Sequence, residues 1–369
     1  MSVARCDLLK DQDRQPVFGD AYGKIIIRMK TPTEVTETTM PRLIPTLVAG
    51  FNTVATHIGL ILIPLLLDLA LWLGPKVKIQ TLGQPIVDSF IGYLQSAAAP
   101  ESQQQVQDTV KLLQEWLANF NLSVVIRTFP VGVPSLLARE VTVGSPLATN
   151  FIFEAPTIAF IVMVILALIL VGFFLGTLYF NSLARFTVNP VLPNNSKKLF
   201  TQFGQNLVTA LILLTMLIIV VVPGTMILTV TAMISPVISQ FLILMAMFAL
   251  LWLSVPLIFA PHGIYVLNQK AYPSMLLSIR MVRYFLPGAG TFVMMSALIS
   301  EGLNQLWAIP EPTTWLTLVG IFGHSFVVTA LLAASFIYYR GGLKWMQESI
   351  QNISDPNIKA DLGGPLGTK

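Results

Sequence analysis

Six long apolar stretches separated by more polar segments dominate the pattern of this chain. They cover residues 43–73, 155–181, 207–234, 237–260, 288–309 and 315–339. A helix needs about 20 mostly apolar residues to cross the hydrocarbon core of a bilayer, and each stretch reaches that length. The first stretch is longer than needed, so we expect it to tilt, to place its first turn in the interface or to kink at Pro64. The pattern predicts an all-α integral membrane protein with six transmembrane helices.

The basic residues between these stretches predict an orientation. They fall in the 182–206 loop (Arg185, Lys197, Lys198), the 267–286 loop (Lys270, Arg280, Arg283) and the start of the tail (Arg340, Lys344). The connections at 235–236 and 308–314 contain neither Lys nor Arg. Cytoplasmic loops of membrane proteins carry the excess of basic residues. We therefore expect a protein of the cell membrane with both termini cytoplasmic, although Lys76 and Lys78 then lie on the external side.

This topology divides the chain into five parts. They are a cytoplasmic N-terminal arm (1–42), the first transmembrane helix (43–74), an external, mainly helical domain (75–150), a five-helix transmembrane bundle (151–339) and a cytoplasmic tail (340–369). Within the bundle, Met275, Leu276, Ile279 and Val282 form an apolar face that excludes Arg280 and Arg283. That pattern is typical of a helix lying in the inner interface, and it is predicted near 272–286.

The predicted external domain contains an amphipathic helix. Its apolar residues recur at three- and four-residue intervals: Val106, Val110, Leu113, Leu117 and Phe120. We expect this stripe to pack on the preceding stretch (Ile86, Val87, Phe90, Ile91, Leu94) and on the outer membrane surface, because helices usually bury such stripes internally. A docking face for another membrane protein is the alternative. Residues 123–143, rich in Val and Thr, predict short extended structure that crosses back over the helices.

Composition agrees with a membrane protein and bounds its partners. The mean hydropathy is +0.73 and charged residues make up 11% of the chain, against about 25% in soluble domains. The net charge of +4 comes from loop residues that suit anionic lipid heads, so the expected partner is the lipid bilayer and not nucleic acid. A single cysteine, Cys6, excludes an intrachain disulfide. Residues 1–42 are polar, so we expect the first span to direct insertion without a cleavable signal peptide.

The second half of the chain resembles a known membrane domain. The fourth span is followed by an interfacial helix with Ser274, Ser278, Arg280 and Arg283, then by two spans ending in Phe336, Tyr338 and Tyr339. Over about residues 244–345 this order resembles the repeating unit of the membrane domain attached to some bacterial glycerophosphoryl diester phosphodiesterases and related polytopic proteins. The resemblance implies a membrane fold but no catalysis, because the phosphodiesterase activity of that family belongs to a separate soluble domain.

Three acidic residues lie within or at the ends of the predicted spans. Asp68 and Glu154 fall near the outer ends of the first two spans, and Glu301 falls in the outer half of the fifth. Ionisable groups at membrane depth are costly and are candidates for function. These three residues could line an outward cavity for a cation or proton, or each could pair with Lys76, Lys78, Arg139 or a helix N-terminus. Helical spacing puts Glu301, Asn304 and Gln305 on one face, which predicts a polar stripe turned inward.

Two histidines are predicted near the middle of the membrane. We expect His57 and His324 to form hydrogen bonds with neighbouring helices; proton relay and ligation of haem or a chlorophyll-type pigment are alternatives. His262 is expected in the inner interface. Glycines at 172, 176 and 320 predict seams where helices approach closely.

No catalytic, nucleotide-binding or metal-binding motif is found in the sequence, and no cofactor is expected. Polar residues within the spans are few and no inverted repeat is evident. The sequence therefore favours a non-enzymatic scaffold or an accessory subunit of a membrane assembly. The alternative is a small-solute or ion transporter that uses the outer-half carboxylates. A membrane enzyme ranks third, because no nucleophile or metal constellation is found.

Overall fold

The computed structural model describes residues 41–97, 103–139, 144–147, 152–188 and 196–354. Most of the predicted N-terminal arm with Cys6, the end of the tail, and parts of the 75–150 and 182–206 segments lie outside the described residues. The eleven described helices are α1 (Leu43–Thr56), α2 (Leu62–Leu73), α3 (Gln80–Ala97), α4 (Gln103–Asn119), α5 (Ile158–Thr187), α6 (Ser196–Ile234), α7 (Pro236–Phe259), α8 (His262–Val266), α9 (Ala271–Tyr284), α10 (Leu286–Trp307) and α11 (Thr317–Ser354). Short 3₁₀ helices cover Ile58–Ile61, Leu122–Ile126 and Leu137–Arg139, and two short strands are β1 (Lys76–Lys78) and β2 (Ile152–Glu154).

Five helical segments are long and apolar enough to cross a membrane. They correspond to α5, α6, α7, α10 and α11, which coincide with the second to sixth apolar stretches. The prediction of a helical fold with several membrane-spanning helices is confirmed, and the structure is compatible with a multi-pass membrane protein.

The first apolar stretch differs from its prediction. Helices α1 and α2 meet at His57 with a bend of 95°, so the break comes seven residues before the expected kink at Pro64. Pro64 lies in the first turn of α2, where its missing N–H removes no helical hydrogen bond. At 1.5 Å per residue, α1 is only about 21 Å long. It is too short to cross the roughly 30 Å hydrocarbon core alone.

Helix α1 packs antiparallel to α11 along a seam of small residues. A Cβ atom at Gly50 would overlap the Ala330 carbonyl oxygen and would lie 2.6 Å from the Ala334 Cβ. At the start of α1, Pro41 lies beside Gly341. The absence of a side chain at Gly50 therefore lets the two backbones approach closely, which makes α1 an integral part of the bundle.

A second close contact joins α10 to α11. The indole ring of Trp307 covers Gly323, where a Cβ would lie 2.8 Å from ring carbons, and the Trp307 carbonyl oxygen abuts Gly320. The packing seam predicted at Gly320 is confirmed.

The glycines of α5 contact an irregular segment of the chain and not another helix. A Cβ at Gly172 would overlap the Ile126 carbonyl oxygen, and a Cβ at Gly176 would lie 2.9 Å from the Val131 carbonyl oxygen. Val131 and Val133 are buried in the same core as the bundle helices. The 122–139 segment therefore packs along α5 inside the bundle, and the extended structure expected over 123–143 is 3₁₀ turns and irregular chain where it is described.

Helices α3 and α4 form an amphipathic hairpin as predicted. Leu117 of the α4 stripe is buried, and its side chain lies against Gly83 of α3. Ile91 of α3 is buried too, whereas Ile86 and Phe90 are exposed. Strands β1 and β2 pair in parallel, with Lys76 opposite Ile152. This pairing brings the two ends of the 75–150 segment together at the start of α5.

The predicted helix is present as α9, and its buried face overlaps the predicted apolar face in part. Met275 and Val282 of that face are buried together with Ser274, Ser278 and Met281, whereas Ile279 is 40% exposed. The Ser274 and Ser278 hydroxyls donate to the carbonyl oxygens of Ala260 and Phe259 at 2.5 and 2.9 Å. Carbonyls at the end of a helix lack intrahelical partners, so the serines turn inward to satisfy the end of α7. Arg280 and Arg283 are exposed, as predicted.

Candidate functional site

Asp68 is fully buried and holds the 122–139 segment onto α2. Its carboxylate accepts hydrogen bonds from the Ser135 hydroxyl and from the backbone N–H groups of Leu136 and Leu137, at 3.1 and 3.3 Å. The positive charge of Arg127 also stabilises the carboxylate electrostatically. Several donors converging on one carboxylate compensate for its burial. These bonds anchor the 122–139 segment to α2.

Glu154 lies at the end of β2 and is exposed. It accepts weak hydrogen bonds from the Thr81 hydroxyl and N–H at 3.3 and 3.5 Å. Its strand partner Lys78 donates instead to the Ala118 carbonyl oxygen at 2.7 Å. Burial lowers the pKa of the nearby Lys76, and the Lys78 charge adds to that shift. Glu154 therefore fastens β2 to the start of α3.

Glu301 and Gln305 are exposed, and only Asn304 of the predicted stripe is buried. The prediction of an inward polar stripe therefore holds for Asn304 alone. Within the described ranges, no three His, Cys, Asp or Glu side chains come close enough to hold a metal ion. The three acids thus do not assemble into a shared cluster of this kind.

The two membrane histidines differ. His324 is buried, and its Nδ1 lies 2.7 Å from the Asn304 Oδ1 across the α10–α11 contact, which confirms the predicted helix-to-helix hydrogen bond. His57 is exposed at the bend, where its Nδ1 lies 3.2 Å from the Thr53 carbonyl oxygen of its own helix. Its ring packs at 4.7 Å from that of Phe186. For His57 the predicted bond to a neighbouring helix is therefore wrong.

His262 is buried among aromatic rings, and its expected position in the inner interface stays a prediction. Its Nε2 lies 2.8 Å from the Ser335 Oγ of α11. The ring of Phe336 lies 4.4 Å away, and those of Phe259 and Tyr339 lie 5.5 Å away. A serine and a histidine at this distance can act as nucleophile and base. Here the Ser335 hydroxyl donates to the Leu332 carbonyl oxygen at 2.7 Å, and both Ser335 and His262 are buried.

A polar cluster that sequence reasoning missed joins α5, α6 and α8. The Asn206 amide donates to the Thr177 hydroxyl at 2.8 Å and to the Tyr265 hydroxyl, and all three residues are buried. Nearby on α5, the Tyr179 hydroxyl donates to Thr329 of α11 at 2.9 Å. These side chains are uncharged and were overlooked because only ionisable groups were weighed as costly. The signal was the polar spacing of Gln202, Asn206 and Thr209 at the start of an apolar helix.

Several buried polar atoms of the bundle have no hydrogen-bond partner in the described part of the chain. They include the side-chain amide of Gln202, the Asn206 Oδ1, the Gln269 Oε1, the Ser325 Oγ and the Tyr338 hydroxyl. Native proteins leave few such atoms unpaired, and unpaired ones call for bound water or a ligand. The arrangement can therefore bind polar groups inside the bundle, but it presents no accessible nucleophile.

Comparison with known proteins assigns no family, fold relative or function to the chain. No protein-family model, curated protein or solved structure matches the chain.

Proposed function

We propose that the chain crosses the cell membrane six times, with both termini and the two basic loops in the cytoplasm. Two contacts support counting α1 and α2 as one broken span. At one end of the bundle, Pro41 lies beside Gly341, and the neighbouring Arg340 donates to the Val188 carbonyl oxygen at 3.0 Å. At the other end, the Trp72 indole N–H donates to the Pro312 carbonyl oxygen at 2.7 Å. The bent pair thus starts beside Gly341 of α11, near the end of α5, and finishes beside the α10–α11 loop.

This topology makes the α3–α4 hairpin external and is tested by reporter fusions. A reporter inserted after Lys270 should read cytoplasmic, and one inserted at Gln105 should read external. A cytoplasmic reading at Gln105 would reverse the orientation.

We further propose that the protein is a non-enzymatic scaffold or accessory subunit that binds the transmembrane helices of another membrane protein. The α6–α7 hairpin, defined here as residues 214–253, supports this most directly. Almost all of its described side chains are exposed, and the most apolar windows of α6 and α7 are 6% and 0% buried. This part of the chain therefore gains almost no packing against the rest of the bundle.

The composition of α6 favours a protein partner over lipid alone. Thr215, Thr225 and Thr229 are exposed, and each hydroxyl donates to the backbone of its own helix. A Cβ at Gly224 would meet no other atom within 4 Å. Small and hydroxyl-bearing residues are enriched where membrane helices associate, because they permit close backbone approach. Exposed methionines such as Met226 and Met245 add adaptable contact surface.

The test combines photo-crosslinking with substitution in native membranes. A photoreactive residue at Met226 or Phe248 should give one discrete protein adduct that also co-purifies at a constant ratio, whereas Leu166 on the exposed face of α5 serves as the control. Thr225→Leu combined with Thr229→Leu makes the surface more lipophilic, so it should abolish the adduct without lowering accumulation. Lipid adducts alone at all three positions would contradict the proposal.

Transport remains the second candidate, and the unpartnered polar atoms around Gln202 and Asn206 favour it. A transporter would hold water beside this cluster, so hydroxyl-radical footprinting should label Tyr265 as strongly as an exposed tyrosine such as Tyr272. Protection of Tyr265 would favour the scaffold. The resemblance to the phosphodiesterase membrane domain stays a prediction.

A further inference from the structure

A cavity lies where α1 and α10 begin beside α11. Its volume is about 300 Å³, and it is lined by Pro41, Leu43, Pro287, Gly288, Thr291 and Tyr338. We propose that this cavity binds a phosphate group, carried by a membrane phospholipid or by a soluble phosphate. Four features of the lining carry the proposal.

The first feature is the meeting of two helix N-termini. Helix α1 starts at Leu43 and α10 at Leu286, and neither has a side-chain hydrogen bond capping its first turn. The N–H groups of a first turn have no intrahelical acceptors, and the helix dipole places partial positive charge there. The Thr46 and Thr291 hydroxyls do not serve as caps, because they donate to the Arg42 and Pro287 carbonyl oxygens at 2.7 and 2.6 Å. Pro45 and Pro287 have no N–H, and the Thr46 N–H donates to the Arg42 carbonyl oxygen at 3.2 Å. The N–H groups that remain for an anion are those of Leu43 and Ile44 on α1 and of Leu286 and Gly288 on α10.

The second feature is the Tyr338 hydroxyl, which points independently to a ligand. Tyr338 is 1% exposed, and its hydroxyl has no hydrogen-bond partner in the described part of the chain. The hydroxyl lies next to the cavity residue Gly288, where a Cβ would come within 3.1 Å of it. A buried hydroxyl without a partner is destabilising. An acceptor oxygen in the cavity would remove that cost.

The third feature is the rigidity of this donor. The Tyr338 ring stacks on Phe292, with centroids 4.3 Å apart and planes 16° apart, and it also lies 5.7 Å from Phe285. Stacked on two sides, the ring cannot easily swing its hydroxyl toward another acceptor. A donor held in place in this way loses little freedom when a ligand binds.

The fourth feature is charge. Arg42 is exposed and stands between two lining residues, Pro41 and Leu43, and none of the six lining residues is acidic. An arginine guanidinium can donate two parallel hydrogen bonds to a phosphate. The helices leaving the cavity also carry exposed apolar side chains, such as Val48 on α1 and Leu298 on α10, which suit acyl chains. These surfaces favour a phospholipid, and its assignment to the cytoplasmic leaflet rests on the proposed orientation.

Binding is tested on the purified full-length chain in detergent. Retention of phosphatidic acid or phosphatidylglycerol is measured by native mass spectrometry, with phosphatidylcholine for comparison. A thermal-shift assay with inorganic phosphate tests the soluble source. Tyr338→Phe deletes only the hydroxyl and Arg42→Gln deletes the charge, whereas Tyr284→Phe, an exposed tyrosine on α9, is the matched control. Melting temperatures without added ligand verify that each variant folds.

We expect wild-type protein and Tyr284→Phe to bind alike, and Tyr338→Phe and Arg42→Gln each to lose about tenfold in affinity, as for a hydrogen bond to a charged group. Anionic phospholipid binding without a phosphate shift identifies the lipid source, and a phosphate shift abolished by both variants identifies the soluble one. Failure of both ligands to bind would overturn the site. Sensitivity to Arg42→Gln alone would also overturn it, because surface charge would then explain the binding. Neither result depends on the reporter fusions that test the topology.

Discussion

The central helix α11 and the α6–α7 hairpin are both membrane-length helical structures, yet they are buried to opposite extents. In its most apolar window α11 has a mean hydropathy of 1.8 and is 67% buried, whereas α6 and α7 reach 2.8 and 2.5 and are 6% and 0% buried. The least hydrophobic of these three helices is therefore the most buried.

This contrast follows from the solvent. Lipid tails are as apolar as leucine, so apolarity does not drive one membrane helix against another. Close packing of small residues and hydrogen bonds between helices decide which faces meet. Helix α11 has both, with Ala330 and Ala334 against α1 and with Thr329 and Ser335 bonded to α5 and α8. In the hairpin, the Ser239 hydroxyl of α7 donates to the Leu228 carbonyl oxygen of α6 at 3.3 Å, but almost all of its other described side chains are exposed.

The largest expected effect comes from placing the same side chain in both regions. Gly50→Leu would drive a side chain into the Ala330 and Ala334 backbone, and overpacking of this kind costs about 3 kcal/mol or more. Gly224→Leu, in open space on α6, should change stability by less than about 0.5 kcal/mol. Thermal unfolding in detergent, followed by size-exclusion chromatography, measures both. Equal losses for the two variants would show that the contrast in packing is not real.

The next effect concerns how the irregular segment is fixed in the bundle. Asp68→Asn replaces an acceptor oxygen with a donor that faces Ser135 and two backbone N–H groups, so we expect a loss of about 2 to 3 kcal/mol. Limited proteolysis near Arg127, alongside thermal unfolding, would report release of the segment. Glu154→Gln is the control, because its bonds to Thr81 are long and exposed. If Asp68→Asn were as silent as this control, Asp68 would not be an anchor.

The smallest effect tests hydrogen bonding within the packed region. A double-mutant cycle with His324→Phe and Asn304→Leu should give a coupling free energy of about 0.6 kcal/mol, as is usual for polar pairs between membrane helices. A matched cycle on the α6–α7 hairpin, with Thr225→Val on α6 and Gln240→Leu on α7, should give none. A coupling near zero for His324 and Asn304 would mean that small residues alone hold α11 in place.

Much of the fold was predictable because it depends on local pattern. Apolar length predicted the helices α5, α6, α7, α10 and α11, and the three- and four-residue spacing of Leu113 and Leu117 predicted α4. The apolar face predicted for α9 is buried only in part, at Met275 and Val282. Ser274 and Ser278 are buried beside it, because the carbonyl oxygens to which they donate lie at the end of another helix, α7.

The sequence by itself determined that the chain forms several helices long and apolar enough to cross a membrane, because apolar length does not depend on what each helix packs against. Only the tertiary structure decided which residues are buried together. The bend at His57, the insertion of residues 122–139 along Gly172 and Gly176, and the bonds from Asp68 and Asn206 all join residues distant in the chain. Such contacts depend on shape and hydrogen-bond pairing between helices, and hydropathy does not record either.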